Sequence, residues 1–411
     1  MAILSCQAYR GDFPELLNTG IIYFDNAAST LKPKHVIDAM NEFITKTYAN
    51  VHRGVYNLAM ESTRLYEEAH DIVSKLICAE QEEIVFTPQG TTNALQLVAL
   101  LLHHNGILRE GNEIIVPGDA HNSNLLPWRQ IARWNKARVK VVPVDQNGIP
   151  RWDKLGELVS HRTRLIAVTH VSNVTGYESP LDEISKIARE VGAYIVVDGA
   201  QSVPHIPVCV NNLDIDFLAF SGHKMLGPTG IGVLWIRKEL AYELEPPLAG
   251  GGTIKDVECK CGANNIRVDW EEPPWKFEAG TPPIIEAIGL AAAAEYLLMI
   301  GMANVAAHET YLTERMLRGL SQIDKVRIVG PSDPKMRRGI ISFVVDKVHP
   351  DIIGIRLGQE GIAVRTGTHC ANMMYHMLGL HEGSIRASFY LYNCPEEVDV
   401  FIEKLEKIVS E

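Results

Sequence analysis

One lysine stands among turn-forming residues in FSGHKMLGPTG, residues 220–230. Glycine and proline serve tight turns and close backbone approach. A solvated surface lysine needs no such setting, whereas a lysine that forms a covalent bond inside a cleft does. Lys224 is therefore the first candidate for chemistry. Four other segments place polar groups directly after apolar, β-rich runs. YIVVD ends at Asp198 and is followed by small residues, which suits contact with a ligand or a helix N-cap. FTPQGTTNALQLVAL runs from a strand through a glycine turn into an apolar helix beginning near Thr91 or Thr92. The unpaired N–H groups and positive dipole end of such a helix suit phosphate, and plain threonine capping fits as well. His121, in PGDAHNSNLLPW, is placed to stack on a flat ligand or to serve as an ordinary polar histidine. Asn173, in THVSNVTG, offers a side-chain donor or an Asx turn.

Each signal is ambiguous by itself, but all of them fall at strand ends of one expected sheet. A phosphate site, a stacking imidazole, a carboxylate and an amine nucleophile together suit pyridoxal phosphate. The amine forms the Schiff base, and the carboxylate keeps the pyridine nitrogen protonated so that the ring accepts electrons from a substrate carbanion. The glycines and proline let the loop carry Lys224 to the aldehyde, with Ser221 and His223 in reach of the phosphate.

The elements that must position these groups alternate along 84–236. Strand runs are expected at 83–86, 113–117, 139–144, 164–170, 194–198, 215–220 and 231–236, with helices at 92–103, 124–136, 151–160 and 180–191. This rhythm predicts an α/β fold with a mostly parallel seven-stranded sheet covered by helices, its functional groups at the C-terminal strand ends. Segment 237–283 is rich in Pro and Gly and reads as ordered loops. A connecting helix at 284–300 leads into a smaller α+β C-terminal domain at 301–411. Residues 1–40 are expected to pack with the other domains, and 41–283 to form the large domain.

The 411 residues suit two or three domains. Hydrophobic residues make up 46% and charged residues 22%, an ordinary globular balance. The net charge of −11 argues against nucleic-acid binding, which wants a basic face. The N-terminal residues show no secretory pattern, and the apolar stretch 284–307 carries Glu295 and Asn304, so it reads as a core helix rather than a membrane span. Seven scattered cysteines then suggest reduced thiols and a cytoplasmic location. No metal site is expected: Cys259 and Cys261 form a Cys-x-Cys pair without a second pair to complete a tetrahedron. GPTGIG has the wrong spacing for a dinucleotide fingerprint and precedes a strand.

The ordered motifs DNAAST, GTTNA, HNSN, SNVTG, DGAQS, SGHKMLGPTGIG, FEAGTP, RTGTHC and IRASFYLYN resemble the aminotransferase class V family, from about residue 21 to the end. Within it the chain is similar to Suf-type (group II) cysteine desulfurases and selenocysteine lyases. The resemblance implies the fold type I of pyridoxal-phosphate enzymes and conversion of L-cysteine (or L-selenocysteine) to alanine, the sulfur passing to Cys370 as a persulfide. It implies that Lys224 is the Schiff-base lysine, that Asp198 meets the pyridine nitrogen and Gln201 the ring hydroxyl, and that His121 stacks on the ring and serves catalysis. Thr91, Thr92, Ser221 and His223 hold the phosphate. Thr281 reaches the phosphate of a neighbouring subunit, which makes a homodimer. Asn173, Arg386 and Arg365 form the substrate-binding set, and Arg365 and His369 lie near enough in sequence to favour the Cys370 thiolate. A sulfur-acceptor protein of the Fe–S assembly machinery is the implied partner, with no nucleic acid and no membrane. Competing activities within the family are a selenocysteine lyase, a kynureninase-like lyase and an aminotransferase. A non-catalytic sulfur carrier or scaffold on the same fold is the alternative from another class.

Two departures stand out. Thr368 occupies a position where group II members often carry His or Gln. Thr253 stands where a Glu often follows the glycines, in a turn extended by Cys259 and Cys261. The run ANMMYHMLGL after Cys370 is expected to pack as a short helix at the domain interface.

Overall fold

The computed structural model describes residues 4–259 and 266–411. Cys261, and with it the Cys-x-Cys pair, lies outside the described residues. Seven strands form the large sheet: β1 (Ile84–Pro88), β2 (Glu113–Pro117), β3 (Arg138–Val142), β4 (Thr163–Thr169), β5 (Tyr194–Asp198), β6 (Phe217–Ser221) and β7 (Ile231–Ile236). Their order is β1-β7-β6-β5-β4-β2-β3. Only β7 runs against its neighbours. The central strands are apolar through their middles, Leu165–Val168, Ile195–Val197 and Phe217–Phe220, because helices cover both faces. Alternation divides them: Ile166, Val168, Ile195 and Val197 enter one core, whereas Leu165, Ala167 and Val196 enter the other. The fold is thus a mixed, mostly parallel α/β sheet with a smaller C-terminal domain.

That domain carries an antiparallel sheet of β8 (Val326–Val329), β9 (Ile340–Val345), β10 (Arg365–Gly367) and β11 (Ser384–Ser388), ordered β8-β9-β11-β10. Helices Met302–Leu320, Pro350–Gln359 and Pro395–Ser410 cover it around a core that includes Leu312, Phe343, Leu357 and Phe401. The N-terminal segment packs on both parts. Phe13 and Leu16 join the core of the large sheet. Ile22 and Tyr23 pair in parallel with Ile362 and Ala363, and Phe24 enters the C-terminal core. The expected short helix after Cys370 is present as Asn372–Met377, with Met374 and Tyr375 packed beside Val174 of the large domain.

Several expectations require correction. Segment 237–283 is not only loops: Ile254–Cys259 and Ile266–Trp270 pair as an antiparallel ribbon. Its strands are heavily charged and little buried, with Lys255 and Asp256 adjacent in the first, so no apolar run marks them in the sequence. The 151–160 helix is reduced to a tight turn, Trp152–Lys154, and one helical turn, Leu155–Leu158. Gly156 within it weakens any longer helix. Helices Lys34–Lys46 and Asn57–Leu76 were not anticipated. Four cysteines expected to be reduced form two disulfides, Cys6–Cys394 and Cys78–Cys209. The fold brings together residues 388 and 131 positions apart, a proximity no linear spacing discloses. Among the described residues Cys259 and Cys370 are free and exposed. No single helix among them is long and apolar enough to cross a membrane.

Candidate active site

A cavity of about 540 Å³ opens at the C-terminal ends of β1, β2, β4, β5 and β6, with the C-terminal domain as its other wall. Thr91, Thr92, His121, Asn173, Asp198, Gln201, Ser221, His223, Lys224, Arg365, Cys370 and Arg386 all line it. Of the catalytic, cofactor-binding and substrate-binding residues expected from the sequence, Thr281 is elsewhere; it lies exposed in the loop before helix Ile284–Ile300.

The anion cradle follows from two close backbone approaches. Gly90, with φ of +69°, caps the 14-residue helix Thr91–His104. A Cβ on Gly90 would lie 2.7 Å from Ser221 Oγ, and one on Gly232 would lie 2.4 Å from the Gly90 carbonyl carbon. Only glycine at both positions lets β7 press the turn against β6. The Thr91 N–H donates to Ser221 Oγ at 2.8 Å, the two hydroxyls lie 2.5 Å apart, and Thr92 Oγ1 meets Ser123 Oγ at 2.8 Å. Hydroxyls and a helix N-terminus converge on one spot, an arrangement that receives phosphate.

Lys224 follows β6 in the tight turn Gly222–Lys224. Burial pushes its amine down to about 8; Asp198 opposes the effect and Arg386 adds to it. The side chain is enclosed but keeps part of its surface open to the cavity. Asp198 ends β5, and its Oδ1 accepts the Ala200 N–H at 3.1 Å. Burial raises its carboxyl above the usual range, against the pull of Lys224. His121 Nδ1 accepts the Ser123 N–H at 3.1 Å, so the neutral ring carries its proton on Nε2. Burial, Lys224 and Arg386 push that imidazole down to about 4. His223 falls to about 4 for similar reasons, burial first and Lys224 and Lys32 after it.

Four buried atoms of lining residues lack any partner: Gln201 Oε1, Asn173 Oδ1, His369 Nδ1 and Arg386 Nε. Such orphans cost free energy unless a ligand completes them. Gln201 donates its Nε2 to Ala27 O at 2.7 Å, which aims its oxygen away as a free acceptor. Asn173 was expected to serve as a donor. It already spends an N–H on His369 O at 2.7 Å. Arg386 gives Nη1 to Asn173 O at 2.9 Å.

The cysteine loop follows β10. His369 and Cys370 adopt φ of +48° and +57°, consecutive left-handed conformations that non-glycine residues rarely hold. The strain is supported by bonds from the large domain. The Asn122 N–H donates to Cys370 O at 2.7 Å, alongside the Asn173 bond to His369 O. Burial, with Arg386 and Arg365 nearby, drives His369 well down, so its ring is neutral and offers no positive charge to a thiolate. That corrects the expectation from its place in the sequence. Arg365 turns its fork onto Asp25, with Nε at 3.0 Å and Nη2 at 2.7 Å. Arg386 Nη2 lies 3.6 Å from the same carboxylate. Asp25, in DNAAST, carries no local signal of a role in the sequence. Its position between two guanidiniums is visible only in the fold.

Comparison with known proteins agrees with this geometry. Residues 22–401 match the family model described as aminotransferase class-V. A probable cysteine desulfurase of Aeropyrum pernix is 51% identical, over 100% of this chain and 99% of its own. The apo structure of a cysteine desulfurase from Thermococcus onnurineus superposes with a TM-score of 0.92 at 42% identity, covering 100% of this chain and 99% of that one. The Escherichia coli cysteine desulfurase CsdA gives 0.89 at 34% identity, over 100% and 99%. The family match across residues 22–401, with a full-length relative at 51% identity, shows that the chain belongs to the aminotransferase class V family.

Proposed function

We propose that the protein is a pyridoxal-phosphate-dependent cysteine desulfurase that converts L-cysteine to L-alanine and leaves the sulfur on Cys370. One observation carries the reading: Lys224 and the exposed Cys370 line the same cavity from opposite domains. The residues present fit the cofactor. The Thr91 helix end, Ser221 and His223 receive its phosphate, Asp198 its ring nitrogen, the orphan Gln201 Oε1 its ring hydroxyl and His121 its ring face. When bound, that group supplies an aldehyde carbon for amines and a ring that takes up an electron pair from the substrate α-carbon.

The chain's own groups supply the rest. Lys224, with its amine near 8, takes and returns a proton close to neutral pH. Arg386 Nε, unpartnered, receives the substrate carboxylate beside Asn173. Arg365 holds Asp25, so its part is to fix that carboxylate between the two guanidiniums and keep Arg386 aimed. The Cys370 thiolate attacks the substrate sulfur. The Cβ–S bond breaks and an S–S bond forms. The electron pair stays with the carbon fragment, which takes up a proton at Cβ and leaves as alanine.

Thr281, exposed and outside its own cavity, suits contact with a second copy, so a homodimer with shared sites is part of the proposal. Transfer of the persulfide to an acceptor protein for Fe–S or other sulfur-containing cofactors, in the cytoplasm, completes it. Two disulfides suit an intracellular protein whose host tolerates internal disulfides, as hyperthermophiles do.

The test is mass spectrometry of protein incubated with cysteine, read together with released alanine. One added sulfur on the Cys370 peptide is expected, absent in Cys370→Ala. Cysteine turnover unchanged in that variant would overturn the persulfide route. Selenocysteine assayed in parallel separates a lyase preference. Borohydride labelling at Lys224 separates an enzyme from a cofactor-free scaffold.

A further inference from the structure

Arg337 is fully buried, yet among the described residues no carboxylate pairs with it. Burial alone drives it down to about 9. Its Nε and Nη2 donate to Thr175 O, at 3.0 and 2.6 Å, and Nη2 also to Val329 O at 2.7 Å. Nη1 has no partner. A buried guanidinium without a counter-charge is costly, and an apolar side chain of similar size would ordinarily serve packing better. Its retention therefore calls for a task that needs a planar fork of donors.

Thr175 belongs to the SNVTG loop of the large domain, which carries Asn173. Four consecutive carbonyls of this loop are each taken by a donor from the C-terminal domain. Arg386 Nη1 takes Asn173 O at 2.9 Å. Ser342 Oγ takes Val174 O at 2.7 Å. Arg337 takes Thr175 O, and the Arg338 N–H takes Gly176 O at 2.8 Å. Two glycines make the approach possible. A Cβ on Gly176 would lie 2.7 Å from Ile340 O, and one on Gly330 would lie 2.5 Å from Arg337 Nη2. Beyond this clamp the loop reaches the chemistry, since Asn173 Nδ2 holds His369 O, next to Cys370.

We infer that Arg337 is a positioning residue: by fixing the SNVTG loop against the C-terminal domain, it sets Asn173 for substrate and, through His369, the resting place of the Cys370 loop. The substrate half rests on the reading of Asn173 given above, whereas the cysteine-loop half stands on the observed bonds. The planar fork gives Thr175 O two donors, Nε and Nη2, while Nη2 also serves Val329 O; the single nitrogen of a lysine lacks that paired, in-plane grip on Thr175 O.

Arg337→Met, Arg337→Lys and Ser342→Ala, each loaded with cofactor, test the inference by two readouts. The first is the KM for cysteine against kcat. The second is the iodoacetamide alkylation rate of Cys370, followed by peptide mass spectrometry with the exposed Cys259 as internal reference. Arg337→Met should raise KM roughly tenfold with a smaller fall in kcat, and should speed Cys370 alkylation several-fold relative to Cys259. The lysine variant should fall between it and the parent. Ser342→Ala should shift both readouts in the same direction by less, and it decides the matter should Arg337→Met fail to fold. A lower melting temperature with an unchanged KM and an unchanged alkylation ratio would overturn the inference, leaving Arg337 a structural residue. Asn173→Ala separates the two readings. If it leaves KM unchanged, Asn173 is not a substrate group, and the alkylation ratio alone judges the clamp. If it raises KM while Arg337→Met alters neither readout, the clamp fails and the substrate reading stands.

Discussion

Lys224→Met should make the cofactor-free protein more stable at pH 7, and the advantage should fade as the pH rises to about 10.5. The amine falls from its ordinary 10.5 to about 8 because the fold withdraws it from water. Below pH 8 both folded and unfolded chains carry the proton, so the folded state bears the whole cost of the buried charge. Between 8 and 10.5 the folded chain releases the proton first, the unfolded chain binds more, and stability rises with pH. Above 10.5 both states are neutral and the cost has gone. A fall from 10.5 to about 8 corresponds to about 3 kcal/mol at most. The side chain keeps part of its surface in the cavity, where water screens it, so about 1–3 kcal/mol is expected.

The assay is urea unfolding of cofactor-stripped parent and variant at several pH values, with the difference between their midpoints as the observable. Titrations shared by both chains cancel in that difference. A variant advantage that stays flat from pH 7 to 10.5 would refute the reasoning, because it would trace to packing rather than to the charge. A second readout links the shift to chemistry. Capture of an added aldehyde by Lys224 should follow its neutral form, rising with pH around a midpoint near 8.

Other perturbations probe separate parts of the structure. Gly232→Ala would drive a Cβ to 2.4 Å from the Gly90 backbone; it should weaken pyridoxal-phosphate retention at least tenfold, seen by dialysis and absorbance, with the Cys370 thiol still reactive. Glu278→Gln removes a buried carboxylate that accepts from Tyr66 Oη at 2.5 Å, the Phe86 N–H at 2.6 Å and His70 at 2.9 Å. It should cost about 2–4 kcal/mol in denaturant unfolding, and, on the proposed homodimer, it should loosen the FEAGTP loop that carries Thr281, measured as easier dissociation on dilution. Cys6→Ser opens a link that closes 388 residues; about 3–5 kcal/mol of stability should be lost, with the parent falling to the same level in reductant.

The sequence disclosed the cofactor side of the cavity far better than the substrate side. Lys224, Asp198, His121 and Thr91 each end or follow an apolar strand run, so a continuous β-rich run and a glycine or small residue were enough to locate them at strand ends. The substrate side is built by docking one domain on another, and no local pattern reports docking. Asp25 sits between Arg365 and Arg386 across sequence gaps of hundreds of residues, Asn173 meets the carbonyl of His369, and Arg337 has only backbone oxygens for company. Motif order suggested that Asn173 donates to substrate and that His369 supplies charge. In the fold, Asn173 spends an N–H on the cysteine loop and His369 is neutral. The same division bears on how this site can change. Cofactor contacts hang on the sheet, where a Cβ at Gly232 collides with the Gly90 backbone and one at Gly90 with the Ser221 hydroxyl. The groups assigned to substrate hang on loops joined by side-chain donors from the other domain. Small shifts of that domain can therefore retune which sulfur amino acid is accepted, and how far the Cys370 loop reaches, while the anion cradle and Lys224 stay in place.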